Sequence, residues 1–162
     1  MKTEDAFKKL KICYVGNNFK EWFYPLSFNA KTKKKVLISK KIPRAMNDEE
    51  ITTEMNPSEV SMEEIVATLK TMSHNFYALF YCRDVTGTLR AVGVYWDDVG
   101  WSVYADDVAC PFAWDGDYQV FSRQFLNAKT LGSSDPLTLK PLVARIKSLE
   151  EDMEKIKRLI NI

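Results

Sequence analysis

Residues 76–105 read FYALFYCRDVTGTLRAVGVYWDDVGWSVYA, and this stretch decides the fold. Three runs rich in β-branched and aromatic residues, at 76–82, 89–96 and 101–105, are separated by the short segments DVTGT and DDVG. Because Asp and Gly favour tight turns, the runs are predicted to be neighbouring strands. The first run is apolar on both faces, which is typical of a central strand.

Further strands are predicted on both sides of this stretch. Residues 11–16, 19–28 and 36–42 are β-biased, and Pro25 indicates an edge strand or a bulge. Together they predict an N-terminal hairpin or meander with a lysine-rich tip. Residues 120–125 predict one more strand after the central three.

One clear helix is predicted between the two groups of strands. Ser61 and Glu64 have the spacing of a capping box, and an apolar stripe follows at helical spacing. The members of this stripe are Met62, Ile65, Val66, Leu69 and Met72. A short helix over residues 3–10 is also expected, with Thr3 as its N-cap. The sequence therefore predicts an α+β domain over residues 1–130, mainly an antiparallel β-sheet with one packed helix.

The C-terminal segment has the strongest periodicity in the chain. Residues 131–137 have the composition of a linker, and residues 138–162 are predicted to be a coiled-coil oligomerisation helix with Thr138 as its N-cap. Apolar residues alternate in steps of three and four. They are Leu139, Leu142, Ile146, Leu149, Met153, Ile156 and Ile160.

Charged residues beside this seam favour a parallel arrangement of copies. With Leu139 at heptad position a, Arg145 of one copy faces Glu150 of the next, and Asp152 faces Lys157. Each such exposed pair stabilises by only ~0.2–1 kcal/mol, but both favour association in register. The choice between dimer and trimer stays open, and the alternative is a helix that packs on its own domain.

Charge and composition predict a globular protein of the cytoplasm, with the cytoplasm of a host cell as one alternative. The net charge is +1, yet residues 1–44 carry 12 Lys or Arg and 3 Asp or Glu, whereas residues 75–118 carry 2 and 7. The three Cys are widely spaced, which favours free thiols. No apolar run approaches the ~20 residues of a membrane span, and the charged N-terminus is unlike a signal peptide.

No recognisable catalytic constellation is present, so the sequence does not predict an enzyme or a cofactor. His74 is the only histidine, and neither a phosphate-binding loop nor a zinc motif is found. The alternative is a metal-dependent enzyme that uses clustered aspartates in turns. These are Asp97, Asp98, Asp106, Asp107, Asp115 and Asp117.

A second alternative is nucleic-acid binding by the lysine-rich N-terminal hairpin. Lysines neutralise phosphates, and the nearby aromatic residues 22–24 could stack on bases. The basic residues are Lys31, Lys33, Lys34, Lys35, Lys40, Lys41 and Arg44. The purely structural interpretation is that the lysines protect an edge strand and keep the protein soluble.

The segment 100–123, GWSVYADDVACPFAWDGDYQVFSR, combines aromatic and acidic residues. Gly100, Trp101, Ala105, Pro111, Trp114 and the closing VFSR give it a resemblance to small phage and prophage-type proteins of unassigned function. The resemblance covers about 24 residues and implies a phage or mobile-element origin, with no activity to transfer.

The sequence thus predicts a non-enzymatic oligomeric interaction protein that presents an aromatic and acidic β surface to a protein partner. Aromatic residues dominate the energetics of protein interfaces, and a multivalent assembly strengthens weak contacts. The residues predicted to bind the partner are Trp96, Trp101, Trp114 and Tyr104.

Overall fold

The computed structural model describes residues 1–29, 36–125 and 136–160, and for the last helix it describes the side chains from residue 146 onward. Internal contacts divide the chain into two units, Met1–Leu126 and Asn127–Ile162. None of the described helices combines the length and apolar content that a membrane span requires.

The first unit is a mixed α+β fold with six strands and four helices among its described residues. The strands are β1 (Ile12–Val15), β2 (Ile38–Lys41), β3 (Tyr77–Arg83), β4 (Leu89–Asp97), β5 (Gly100–Asp107) and β6 (Tyr118–Ser122). The helices are α1 (Thr3–Lys8), α2 (Asn17–Phe23), α3 (Asp48–Glu54) and α4 (Met62–Thr71).

The six strands form one sheet in the order β1-β5-β4-β3-β6-β2. The predicted neighbours β3, β4 and β5 pair antiparallel, as do β2 and β6. By contrast, β1 pairs parallel to β5 and β3 pairs parallel to β6. The sheet is therefore mixed, whereas the sequence predicted a mainly antiparallel one. The parallel pairings were not predicted because neither of them joins strands that are adjacent in the chain.

Each face of the sheet carries its own hydrophobic core. On the first face, α1, α2 and α4 pack on Phe80, Val92 and Val103. On the second face, α3 and its flanking loops pack on Leu79 and Tyr81. The second core covers one part of its face, and the remaining part carries the site described below.

The helix α4 confirms the predicted capping box. The Ser61 hydroxyl accepts a hydrogen bond from the Glu64 amide, and the Glu64 carboxylate accepts one from the Ser61 amide. Ile65 and Leu69 of the predicted stripe are buried. A second capping box, between Asn47 and Glu50, starts α3.

The predicted N-terminal hairpin is wrong, and so is the prediction of a single packed helix. Residues 17–23 form α2, in which Phe19 and Phe23 lie one turn apart and are both fully buried. Burial of this aromatic pair outweighs the β propensity of the segment. In α1 the N-cap is Lys2, and the Thr3 hydroxyl instead donates to the Leu26 carbonyl at 2.9 Å.

The second unit contains the helix α5 (Pro136–Ile160). It begins at Pro136, a residue favoured at the first helical position, so Thr138 is not its N-cap. The side chains of the predicted seam from Ile146 onward are more than half exposed, at 54–75%. Leu139 and Leu142 lie on the helix, but their side chains are outside the described residues.

Candidate functional site: a row of tyrosines across the sheet

Five neighbouring strands each place one partly exposed tyrosine on the second face of the sheet. In sheet order these residues are Tyr14 on β1, Tyr104 on β5, Tyr95 on β4, Tyr77 on β3 and Tyr118 on β6. We call this set the tyrosine row. It crosses the part of the face that the second core leaves uncovered.

The rings of the row contact one another from end to end. Ring centroids are 5.2 Å apart between Tyr14 and Tyr104, and 5.8 Å apart between Tyr104 and Tyr95. The row continues at 5.6 Å from Tyr95 to Tyr77 and at 5.5 Å from Tyr77 to Tyr118. All four separations lie within the ~4.5–7 Å range of favourable aromatic pairs. The rings therefore form one continuous surface.

Strand register produces this alignment. Ser102 lies opposite Tyr95 in the antiparallel pair and opposite Tyr14 in the parallel pair, so that Tyr104, two residues on, is diagonal to both. Tyr77 lies opposite Tyr118. Because Ser102 is small and buried, it leaves room for the larger rings around it.

A bulge in β1 puts Tyr14 on the correct face. The pairing of β1 with β5 shifts register between Ile12 and Tyr14. In a regular strand these two residues would share a face, because side chains repeat with a period of two. Here Ile12 packs against the first core, while the Tyr14 ring contacts Tyr104 on the opposite face.

Trp114 adds a further ring to the aromatic surface, beside Tyr118. Its ring lies 5.0 Å from the Tyr118 ring, edge to face, and its indole Nε1–H donates to Asp48 at 2.9 Å. The indole rests on Gly93 of β4, where an added Cβ would come within 2.9 Å of the ring. Glycine at this position is therefore what allows the indole to reach the sheet.

Asp48 holds the Trp114 side chain in position through a hydrogen bond. The carboxylate is buried, and its Oδ1 accepts hydrogen bonds from the Tyr81 hydroxyl at 2.8 Å and from the Trp114 indole. Burial raises the pKa of Asp48, although the two hydrogen bonds offset part of this rise. Both donors belong to the protein, so Asp48 acts as a positioning residue for Trp114.

The hydroxyls of Tyr104 and Tyr118 stay protonated at neutral pH. The hydroxyls of Tyr95 and Tyr104 lie 3.2 Å apart, and chiefly this hydrogen bond raises the pKa of Tyr104 to about 12. Burial, followed by the charge of Asp115, raises the pKa of Tyr118 to about 12. A phenolate nucleophile or base at these positions is thus disfavoured. The row instead presents ring faces and neutral hydroxyls, which suit binding.

The row is accessible. Tyr14 and Tyr77 are 49% and 43% exposed, and the other three tyrosines and Trp114 are half-buried. A groove of about 370 Å³ opens on this surface between the start of α2 and Trp114. Its side chains come from the row, from Trp114, from the start of α2 and from Asp106.

The four residues predicted to bind a partner divide between the two faces. Tyr104 and Trp114 belong to the aromatic surface. Trp101 is 2% exposed in the first core, and Trp96 lies on that same face, stacked on His74 with ring centroids 3.5 Å apart. The prediction that Trp101 belongs to an exposed binding surface is therefore wrong, because its side chain is buried in the first core. Trp96 lies on the same face as Trp101 and is not part of the tyrosine row.

Sequence reasoning missed Tyr14, Tyr77, Tyr95 and Tyr118. A signal was present, since Tyr14, Tyr77, Tyr95 and Tyr104 lie in four different predicted strands, and Tyr95 and Tyr104 alternate with apolar core residues. Alternation assigns a residue to a face, but it does not say which strands are neighbours. The row becomes visible only when the order of the strands is known.

The basic residues of the nucleic-acid alternative are only partly described. Lys31, Lys33, Lys34 and Lys35 lie outside the described residues. Lys40 and Lys41 are exposed on the strand β2, where the Lys40 ammonium lies over the Phe125 ring at 5.0 Å. Arg44 forms ion pairs with Glu50 and Glu54. The described members thus lie away from residues 22–24, of which Trp22 stacks with Arg90.

The aspartates of the metal alternative do not converge. In the part of the chain that the structure describes, no group of three His, Cys, Asp or Glu side chains is placed to hold a metal ion. Asp107 pairs with Arg90 at 3.0 Å, and Asp115 accepts a hydrogen bond from the Asp117 amide. These contacts are typical of turns and strand ends.

No protein-family model, no curated protein and no solved structure matches this chain. Its function therefore has to be inferred from its own residues and their geometry.

Proposed function

We propose that this chain is a non-enzymatic oligomeric interaction protein that binds a protein partner through the tyrosine row. The observation that carries the proposal is the continuity of the aromatic surface, in which five tyrosines from five neighbouring strands contact one another and Trp114 contacts Tyr118.

The chemistry of the row favours a protein partner. Tyrosine supplies a large, rigid contact area together with a hydroxyl that forms hydrogen bonds, and it loses little conformational entropy on binding. In this row, ring contacts on both sides already restrict Tyr95 and Tyr77. A surface that is ordered before binding retains more of its interaction free energy.

The neighbouring charges are less favourable for nucleic acid. Asp97 follows Tyr95 by two residues on β4, Asp106 follows Tyr104 by two residues on β5, and the charge of Asp115 acts on Tyr118. Carboxylates beside stacking rings repel phosphates, whereas sites for single-stranded nucleic acid combine such rings with cations.

The helix α5 supports the oligomeric part of the proposal. Ile146, Leu149, Met153, Ile156 and Ile160 form a seam of exposed apolar side chains. Such a seam is stabilised when a second copy covers it. Several copies of the tyrosine row in one assembly would then bind a repetitive partner more tightly than one copy does.

Site-specific photocrosslinking tests the proposal. A benzophenone amino acid is introduced at Tyr14 or at Tyr77, and at Val85 as a control, because Val85 is similarly exposed at 47% but lies in the turn between β3 and β4. In nuclease-treated lysate, we expect a defined protein adduct from the two row positions and none from Val85. Identical adducts from all three positions, or adducts to nucleic acid alone in untreated lysate, would contradict it.

A further inference from the structure

We infer that the groove beside Asp106 binds an arginine side chain of the partner, so that the segment recognised by the tyrosine row is basic. This inference rests on the proposed function and specifies the chemistry of the partner. The groove is built by six side chains in particular. They are Tyr14, Asn17, Tyr104, Asp106, Trp114 and Tyr118.

The wall of the groove is fixed to the sheet. The Gly16 amide, just before α2, donates to the Val103 carbonyl at 2.8 Å, and the Asn18 side-chain amide donates to the Ala105 carbonyl at 3.2 Å. These two bonds hold the start of α2 beside β5. The opposite side is fixed by Trp114, which Asp48 and Gly93 hold in place. The groove therefore exists before any ligand binds.

Asp106 is the charged group of the groove, and it has no ionic partner among the described residues. The carboxylate is half-buried, and neither a salt bridge nor a hydrogen bond within the described parts of the chain involves it. Two more deeply buried acidic groups of the domain have cationic partners. Asp84 pairs with Arg90 at 2.9 Å, and Glu64 pairs with Arg123 at 2.7 Å. A half-buried carboxylate favours a cation as its partner.

Arginine fits this combination of groups better than other cationic or apolar side chains. A guanidinium is planar, so that it can stack on the tyrosine and indole rings while its N–H groups donate to a carboxylate. Lysine offers a point charge without a face to stack, and an apolar side chain would leave Asp106 unpaired. The hydroxyls of the row and the side chain of Asn17 supply further acceptors.

The charge pattern around the groove agrees with a basic segment rather than a single cation. Asp115 acts on Tyr118, which lines the groove. The groove on the other side of Tyr14 is different, because Lys8 and Lys20 line it. A basic partner is therefore directed along the row and away from α1.

Indole resonances of the full-length protein report on the groove. The probe is the blocked tripeptide acetyl-Gly-Arg-Gly-amide, and its matched control contains citrulline, which keeps the planar shape and lacks the charge. We expect the arginine peptide to shift the Trp114 Nε1–H resonance in a two-dimensional NMR spectrum, with the buried Trp101 indole as an internal reference. The citrulline peptide should bind about tenfold more weakly.

Two isosteric variants separate the carboxylates of β5. Asp106→Asn should weaken binding of the arginine peptide about tenfold, whereas Asp107→Asn, which alters a carboxylate paired with Arg90, should leave it unchanged. Equal binding of the arginine and citrulline peptides, an equal loss in both variants, or no shift of Trp114 would overturn the inference. So would a Trp114 shift that oligothymidylate produces and the arginine peptide does not.

These results are independent of the photocrosslinking experiment. If the arginine peptide fails and Tyr14 or Tyr77 still gives a specific protein adduct, the inference is wrong and the proposed function stands. If both fail, the tyrosine row is not the partner-binding surface.

Discussion

The indole ring of Trp114 lies directly against Gly93, at a distance that leaves no space for even a methyl group on the sheet. One residue in the middle of β4 thereby determines where the side chain of a distant loop residue lies. Trp114 in turn carries the contact to Tyr118 and the hydrogen bond to Asp48. This relationship connects the fold of the sheet to the shape of the proposed binding surface.

Gly93→Ala should therefore displace Trp114. We expect a loss of about 1–3 kcal/mol in the free energy of unfolding, because the new Cβ would lie 2.9 Å from the ring. Urea denaturation measures this loss. The control is Gly116→Ala, where the nearest atom, the Ile42 carbonyl oxygen, would be 3.6 Å from the Cβ. An equal, small effect of both substitutions would show that Trp114 is not fixed by Gly93.

Tyr95→Phe should change the titration of one neighbour and spare another. The hydrogen bond with Tyr95 is the main cause of the raised pKa of Tyr104, so removing the Tyr95 hydroxyl should bring that pKa from about 12 toward its ordinary value of 10.0. Tyr118 should keep a pKa of about 12, because burial is the main cause there. NMR of the ring carbons as a function of pH distinguishes the two residues. A fall at both, or at neither, would contradict the hydrogen-bond explanation.

Asp84 should make stability depend on pH in the acid range. Burial alone would raise the pKa of its carboxyl, but hydrogen bonds from Thr86, Arg90 and Thr88 lower it to about 2. A lowered pKa in the folded state stabilises the protein above the ordinary value of 3.8, and this stabilisation is lost as the pH falls from about 4 to about 2.

Asp84→Asn should remove this dependence and lower the free energy of unfolding at neutral pH by about 2–3 kcal/mol, because it weakens the buried contact with Arg90. Chemical denaturation at several pH values measures both effects. Asp117→Asn, at an exposed turn position, is the control and should change neither. If Asp84→Asn and the wild type lose stability in parallel between pH 4 and pH 2, another group is responsible.

Met153→Asp should dissociate the proposed oligomer. Met153 is 58% exposed in the middle of the apolar seam of α5, and a carboxylate there would be buried between copies. Light scattering coupled to size-exclusion chromatography should give the mass of a single chain. The control Ser148→Asp adds the same charge at heptad position c, outside the seam, and should keep the oligomeric mass. A single-chain mass for the unsubstituted protein would show that α5 does not associate.

The sequence by itself determined the elements whose information is local. The strands β3, β4 and β5 follow one another through short Asp and Gly turns, so their antiparallel pairing requires no distant contact. The start of α4 is determined by Ser61 and Glu64, which lie three residues apart. Period-two alternation is also sufficient to put Trp101 and Tyr104 on opposite faces of β5.

Only the tertiary structure decided which segments of the chain are neighbours in space. The segment with Phe19 and Phe23 forms a helix because this conformation buries both rings in the first core. Local propensity carries no information about such a distant contact. The parallel pairings of β1 with β5 and of β3 with β6, and the bulge before Tyr14, bring residues 14 and 118 into one row. Side-chain alternation is a property of a single strand, whereas a continuous surface is a property of the order of strands. For that reason the aromatic surface could be suspected from the sequence, but its members could not be assigned from it.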